Sequence, residues 1–84
     1  MKKFTVDTHG HHLEIEASLW NGRERITYDG QVVSDKRSYL FVSPHIFTVA
    51  EDGADAVYEL NVLSGVFRIG FVVRRNGIAM ATSS

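Results

Sequence analysis

Three of the four histidines in this chain lie within four positions, in the stretch His9-Gly10-His11-His12. Imidazole nitrogens are common zinc and copper ligands, and a His-X-His pair on an extended strand turns both rings to one side. A metal-binding or metal-sensing site is therefore the first chemistry that the sequence suggests. Its candidate ligands are His9, His11 and His12, while His45 stands far along the chain.

A hairpin turn is a plainer explanation for the same stretch. His9-Gly10 occupies the place of an Asn-Gly turn, and histidine tolerates the left-handed backbone that such a turn requires. Pairing outward from this turn puts His12 on the outer face opposite Asp7, and His11 at the end of the inner row. The three rings then point in different directions, so the sequence predicts no metal site and no cofactor.

Glycine also marks the other turns of the chain. Polar-glycine dipeptides between alternating apolar runs are the strongest short-range signal for a hairpin. The sequence therefore predicts an all-β fold without helices. The dipeptides are His9-Gly10, Asn21-Gly22, Asp29-Gly30, Asp52-Gly53, Ser64-Gly65 and Asn76-Gly77.

Strand pairing can be predicted by counting outward from each turn. Across Asn21-Gly22 this places Ile15 opposite Tyr28, and across Ser64-Gly65 it places Leu60 opposite Ile69. A four-residue loop, 52–55, fits the next turn and sets Phe47 against Leu60. After Val33 the alternation would turn Asp35 and Arg37 toward the core near Glu24, which predicts a β-bulge or the end of the strand.

The predicted architecture is one domain, 1–84, with a break near Ser43-Pro44, because proline cannot donate to a strand ladder. The first sheet is expected over about 2–42 and the second over about 45–82. Each is a four-stranded antiparallel meander with one apolar face. Two such sheets stacked without interleaving make a small β-sandwich. An eight-stranded up-and-down barrel is the alternative.

Composition narrows the functional classes. The 84 residues are 44% hydrophobic and 23% charged, with a net charge of −1, which is ordinary for a soluble globular domain. A near-neutral chain lacks the basic field of a nucleic-acid binder, and no apolar run reaches the roughly 18 residues of a membrane span. Without cysteine, disulfides and thiolate sites are excluded. We therefore expect a cytoplasmic protein with neither nucleic-acid nor membrane partners.

The chain resembles the Fas apoptosis inhibitory molecule family. The similarity covers nearly all of it and is carried by the Tyr28-Asp29-Gly30 turn, the Leu63-Ser64-Gly65 turn and the closing strand that ends at Arg75-Asn76-Gly77. The resemblance implies a non-enzymatic all-β protein with stacked antiparallel sheets. Animal members carry two such repeats, whereas this chain has one, as expected of a bacterial protein. No catalytic motif comes with the family.

Trp20, the only tryptophan, precedes the Asn21-Gly22 turn and is predicted to lie on the outer face opposite Arg23. Tryptophan and arginine are enriched at interface hot spots. A cation–π pair that shields the end of the hairpin is the structural alternative. A small-ligand site for a carbohydrate or lipid beside Trp20 is a further possibility.

The outer face of the second sheet is predicted to be apolar. The counted pairing sets Val57 opposite Val72, and Leu63 opposite Val66, all pointing outward. An exposed apolar patch on a small domain often marks an interface. The sequence thus favours a protein-interaction module, with a homodimer or an unidentified protein partner. A metal-binding domain and a small-ligand-binding domain remain the alternatives.

Overall fold

The structure is a computed structural model that describes residues 2–18, 21–37, 42–64 and 69–83. The chain divides into two compact units, Met1–Leu40 and Phe41–Ser84. The described residues form eight strands. These are β1 (Lys2–Thr8), β2 (His11–Ala17), β3 (Arg23–Tyr28), β4 (Gln31–Arg37), β5 (Val42–Glu51), β6 (Ala54–Ser64), β7 (Ile69–Arg75) and β8 (Ile78–Ser83).

Each unit contains one four-stranded antiparallel sheet whose strand order follows the chain. The first sheet has the order β1-β2-β3-β4, and the second has the order β5-β6-β7-β8. The predicted fold class, all-β with two four-stranded meanders, is confirmed. The alternative of an eight-stranded barrel is wrong, because the described strands form two separate sheets and neither of them closes.

Four hairpins turn through two residues that have left-handed backbone. His9, Asp29, Asp52 and Asn76 have φ values of 49°, 48°, 51° and 51°, and the glycine that follows each of them has φ between 79° and 84°. This is the type I′ turn, whose twist matches that of the flanking strands. The turn prediction at these dipeptides is therefore confirmed.

The register of three hairpins differs from the predicted one. In the β2–β3 ladder Ile15 lies opposite Ile26, in β6–β7 Leu60 lies opposite Val73, and in β5–β6 Phe47 lies opposite Tyr58. The prediction of a four-residue loop, 52–55, is wrong because the chain reverses in the two residues Asp52-Gly53. Each of these three shifts spans an even number of residues, so the side chains of these ladders keep their predicted faces.

Asp29 and Asn76 hold the register by bonding to the neighbouring central strand. The backbone N–H of Asp29 donates to the carbonyl of His12 at 2.8 Å, and the N–H of His12 donates back to Asp29 Oδ1 at 2.8 Å. Asn76 and Val57 repeat this exchange at 2.7 and 2.9 Å. A side-chain oxygen thus extends each ladder by one pair beyond the end of a strand.

Removing the Asn76 side chain tests this role. We expect Asn76→Gly to lower the free energy of unfolding by about 1 kcal/mol, the typical contribution of one hydrogen bond, since glycine accepts the same φ. Urea denaturation measures the change. Asp52→Gly is the matched control, because Asp52 has the same φ of 51° but turns between an edge strand and its neighbour. If the two variants lost equal amounts of unfolding free energy, the hydrogen bond from Val57 to the Asn76 side chain would not contribute to stability.

The last hairpin of each sheet carries a β-bulge at the same place. Two residue pairs beyond the turn, the register shifts at Ile26/Thr27 and at Val73/Arg74. Val33 and Met80 are therefore the extra residues. The predicted bulge after Val33 is confirmed. Its effect is to turn Asp35 outward opposite Arg25, which corrects the expectation that Asp35 and Arg37 lean toward the core.

The buried residues line one face of each sheet. In the first sheet they come from β2 and β3, and in the second mainly from β6 and β7. The alternation of apolar residues in the sequence accounts for these faces. Their apolar members include Leu13, Ile15, Ile26 and Tyr28 in the first sheet, and Phe47, Tyr58, Leu60, Val62, Phe71 and Val73 in the second.

Candidate interaction surface

The outer face of the second sheet consists of the side chains that alternate with the buried ones on β5, β6 and β7. The burial pattern of β5 switches at every residue up to Thr48. Val42, Pro44, Ile46 and Thr48 are exposed, while Ser43, His45 and Phe47 are buried. A ten-residue strand that presents apolar residues on its exposed side is unusual, since soluble proteins normally place polar residues there.

Three aliphatic side chains make this face apolar. Ile46 is 68% exposed, Val42 is 54% exposed and Val57 is 44% exposed. Val42 lies directly opposite Leu63 in the ladder, so these two side chains are neighbours on one face. Leu63 is half-buried, which leaves part of its side chain available to a partner.

Polar groups interrupt the middle of the apolar surface, where their charges balance. The guanidinium of Arg74 lies 3.5 Å from Glu59, and the amide of Asn61 donates to the same Glu59 oxygen at 3.1 Å. The one acid and the one base in this cluster therefore balance. Among the described residues, the other charge on this face is Asp55, which lies opposite Ala50 near the turn. The neutral middle of the face can meet a second copy of itself without electrostatic repulsion.

The structure places the predicted interface residues as follows. Val57, Leu63 and Val72 share the outer face, but their partners differ from those predicted. Val72 lies opposite Asn61, and Leu63 lies opposite Gly70 on β7. Val66, like Trp20, lies outside the described residues.

Arg23 belongs to an ion cluster on the first sheet. Its Nη2 lies 3.1 Å from Asp35 Oδ2 and its Nε lies 3.3 Å from Asp35 Oδ1, which makes a bidentate pair. Arg25 adds a longer contact of 3.4 Å. The hydrogen bond from Arg23 holds the pKa of Asp35 below its ordinary value. The side chain of Arg23 thus has a partner on β4.

The histidines of the first hairpin take separate partners. Nδ1–H of His11 donates to Asp29 at 2.6 Å, and Nδ1–H of His12 donates to Asp7 at 2.7 Å. Nδ1 of His9 lies 2.9 Å from the hydroxyl of Thr8. The predicted positions of His9 at the tip and His12 opposite Asp7 are confirmed. Within the described residues, no three His, Cys, Asp or Glu side chains are arranged to hold a metal ion.

These contacts shift the pKa values of His12 and Asp29 in opposite directions. The hydrogen bond to Asp7, with a further contribution from Glu14, raises the pKa of His12 above 6.5. The hydrogen bond from His11, followed by that from the N–H of His12, lowers the pKa of Asp29 below 3.8. Protonated His12 therefore stabilises the fold below pH 6.5, and its contribution is lost as the pH rises through its raised pKa.

Ionised Asp29 acts in the opposite sense. Its contribution is present above pH 3.8 and is lost as the pH falls through its lowered pKa. Both groups therefore stabilise the first hairpin between pH 3.8 and 6.5.

Titration of His12 by NMR tests the pairing with Asp7. We expect the His12 ring protons to titrate above pH 6.5, and Asp7→Asn to return the pKa toward 6.5 because the amide removes the negative charge. Asp52→Asn, which removes an acid from a turn of the second sheet, is the control and should leave the His12 titration unchanged. If Asp7→Asn leaves the His12 titration unmoved, the ion pair is absent in solution.

A buried carboxylate lies at the end of β5. The side chain of Glu51 is only 1% exposed. It accepts a hydrogen bond from the hydroxyl of Tyr58 at 2.6 Å, and another from Nε of Arg75 at 2.8 Å. Burial of a charge is costly unless it is paired and hydrogen-bonded, and both conditions are met here. This cluster ties β5, β6 and β7 together.

Sequence reasoning missed Val42 and Ile46 as surface residues. The sequence places the start of the second sheet near residue 45, whereas β5 begins at Val42. The buried polar residues Ser43 and His45 concealed the alternation, because a buried face is normally recognised by its apolar residues. The alternation of Val42, Pro44, Ile46 and Thr48 on the other face was the usable signal.

Comparisons with protein-family models, with curated proteins and with solved structures find no match to this chain. The resemblance to the Fas apoptosis inhibitory molecule family therefore stays a prediction. Among the residues that the structure describes, no helix has the length and apolar character needed to cross a membrane.

Proposed function

We propose that this chain is a non-enzymatic protein-interaction module that self-associates through β5 and the adjoining outer face of the second sheet. The observation that carries the proposal is the exposure of Ile46, at 68%, and Val42, at 54%, on one edge strand. Exposed contiguous apolar surface on a small domain commonly marks an interface. A second copy is the occupant that best suits a surface whose central charges, Glu59 and Arg74, balance each other.

The size of the surface sets the expected strength of association. Three strands about 4.8 Å apart and seven residues long, at about 3.3 Å per residue, cover roughly 300 Å². A stable dimer usually needs about 800 Å² on each partner. We therefore infer a weak, concentration-dependent dimer.

Sedimentation equilibrium over a range of concentrations tests the proposal. We expect the native chain to pass from monomer to dimer in the micromolar range, and Ile46→Lys to remain monomeric because it places a charge in the contact. Ile78→Lys is the matched control, since Ile78 is 71% exposed and lies on the opposite edge of the same sheet. A native chain that stays monomeric at high micromolar concentration, or equal losses in both variants, would overturn self-association through this surface.

A further inference from the structure

β5 has one side without a hydrogen-bonded strand. Among the described residues it pairs only with β6, so it is an edge strand of the second sheet. The two-residue turn makes Glu51 and Ala54 a hydrogen-bonded pair, so alternate residues counted back from Glu51 bond to β6. The N–H and C=O groups of Ile46, Thr48 and Ala50 therefore point away from the sheet.

Pro44 supports this assignment. It belongs to the same alternating set, and a proline within a strand is tolerated where its nitrogen faces away from the ladder. Ile46, Thr48 and Ala50 are also exposed, and no described strand pairs with their main-chain groups.

The other three edges carry protection that β5 lacks. Edge strands resist pairing with other chains when they bear charged side chains or bulges. β1 begins with Lys2 and Lys3, and β4 combines a bulge at Val33 with the charged run 35–37. β8 has a bulge at Met80. Between Val42 and Ala50, β5 has neither a bulge nor an acidic or basic side chain other than the buried His45. Its one protective residue is Pro44, which lies at the start of the strand and leaves the open groups of Ile46, Thr48 and Ala50 unblocked.

Pro44 also restricts how two copies of this edge can pair. A proline that faces a partner strand offers no donor, so pairing across it is disfavoured. An antiparallel two-fold arrangement that excludes Pro44 and uses all three open residues has its axis at Thr48. Thr48 then lies opposite its twin, and Ile46 lies opposite Ala50 of the second copy.

We propose that two copies of this chain join edge to edge through β5, in antiparallel register centred on Thr48, so that two second sheets become one continuous sheet. This inference rests on the proposed function, because it takes a second copy as the occupant of the surface. Each pair in this register exchanges two main-chain hydrogen bonds. These bonds supply affinity that the small apolar area does not.

The pairing brings the exposed side chains of both copies together. Ile46 packs beside Ala50 of the second copy, and the two Thr48 side chains become direct cross-strand neighbours. Such Thr–Thr pairs are favourable on antiparallel strands. The outer faces of the two copies then lie side by side, and no like charges meet across the junction.

Cysteine cross-linking tests the register, since the natural chain contains no cysteine. A hydrogen-bonded pair has its Cα atoms about 5.5 Å apart, within the range that a disulfide spans. We expect Thr48→Cys to form a disulfide-linked dimer about tenfold faster than Ala50→Cys under the same mild oxidant, because two Ala50 residues lie roughly 13 Å apart along the paired strands.

A second set of variants separates edge pairing from contact between faces. Thr48→Pro removes a donor from the open edge while leaving the β6 ladder intact. Because Thr48 lies opposite its twin, the dimer loses two hydrogen bonds, and we expect dimerisation to weaken about 30-fold. Thr48→Ala loses only the Thr–Thr side-chain pair and should weaken it less than about fivefold, whereas Val72→Lys dimerises as the native chain does. Circular dichroism checks that each variant keeps its strand content.

The outcomes distinguish the two proposals. If the native chain never dimerises, the proposed function fails, and the edge pairing with it. A different set of results would show that the outer face is the contact. In that case the chain dimerises, Thr48→Pro has no effect, Val72→Lys abolishes the dimer, and the two cysteine variants cross-link at equal rates. That result would overturn the edge pairing and leave self-association standing.

Discussion

Ile26→Ala is expected to lower the free energy of unfolding by about 3 kcal/mol, because it removes a fully buried aliphatic side chain and leaves a cavity. Ile26 has no exposed surface. It lies in β3 between Ile15 of β2 and Ser34 of β4, so the neighbours that would have to fill the cavity are held in ladders on both sides. Urea denaturation followed by circular dichroism measures the loss.

Ile78→Ala provides the matched control, since it deletes the same atoms from a side chain that is 71% exposed. Its expected effect lies within about 0.5 kcal/mol of zero, as for most surface substitutions. Comparable destabilisation by the two substitutions would show that the buried face of the first sheet is not packed as described.

Glu51→Ala is expected to destabilise the second sheet by about 3 kcal/mol, the usual result of removing one partner from a buried ion pair. The substitution takes the acceptor away from the Tyr58 hydroxyl, which lies in a fully buried residue, and from the guanidinium of Arg75. The guanidinium of Arg75 stays charged in the variant, because arginine is not deprotonated in proteins, and it has lost the carboxylate that paired with it.

Glu59→Ala is the matched control on the opposite face of the same sheet. The side chain of Glu59 is 46% exposed and lies 3.5 Å from Arg74, and exposed ion pairs contribute at most about 1 kcal/mol. The same denaturation experiment compares the two variants. A loss for Glu51→Ala no larger than that for Glu59→Ala would contradict the buried cluster.

Much of the candidate surface was predictable because strands alternate strictly. Val57, Leu63 and Val72 were placed on the outer face by counting alone, and their face survived the register shifts because each shift was even. Counting from the turns did not predict which of these residues lie directly opposite each other in the ladder. In the β6–β7 hairpin the described ladder sets Ser64 opposite Ile69, whereas counting outward from Ser64-Gly65 had set Leu60 opposite Ile69.

The strand β5 was the least predictable element, for a physical reason. Its buried side carries Ser43, His45 and Glu51, so hydrophobic periodicity fails as a guide. Glu51 is tolerated there because residues from two other strands satisfy its carboxylate. Local sequence patterns do not indicate that the side chains of Tyr58 and Arg75 meet at Glu51.

The sequence by itself determined the fold class, three of the four type I′ turns and the face of nearly every strand residue. These properties follow from backbone conformation and from the two-residue period of a strand, which are local. Only the tertiary structure decided the register between strands, the bonds of Asp29 and Asn76 to a third strand, and the position of β5 as an edge protected only by Pro44. Those depend on which residues meet across the sheet, because hydrogen bonds and side-chain contacts between distant segments fix the pairing.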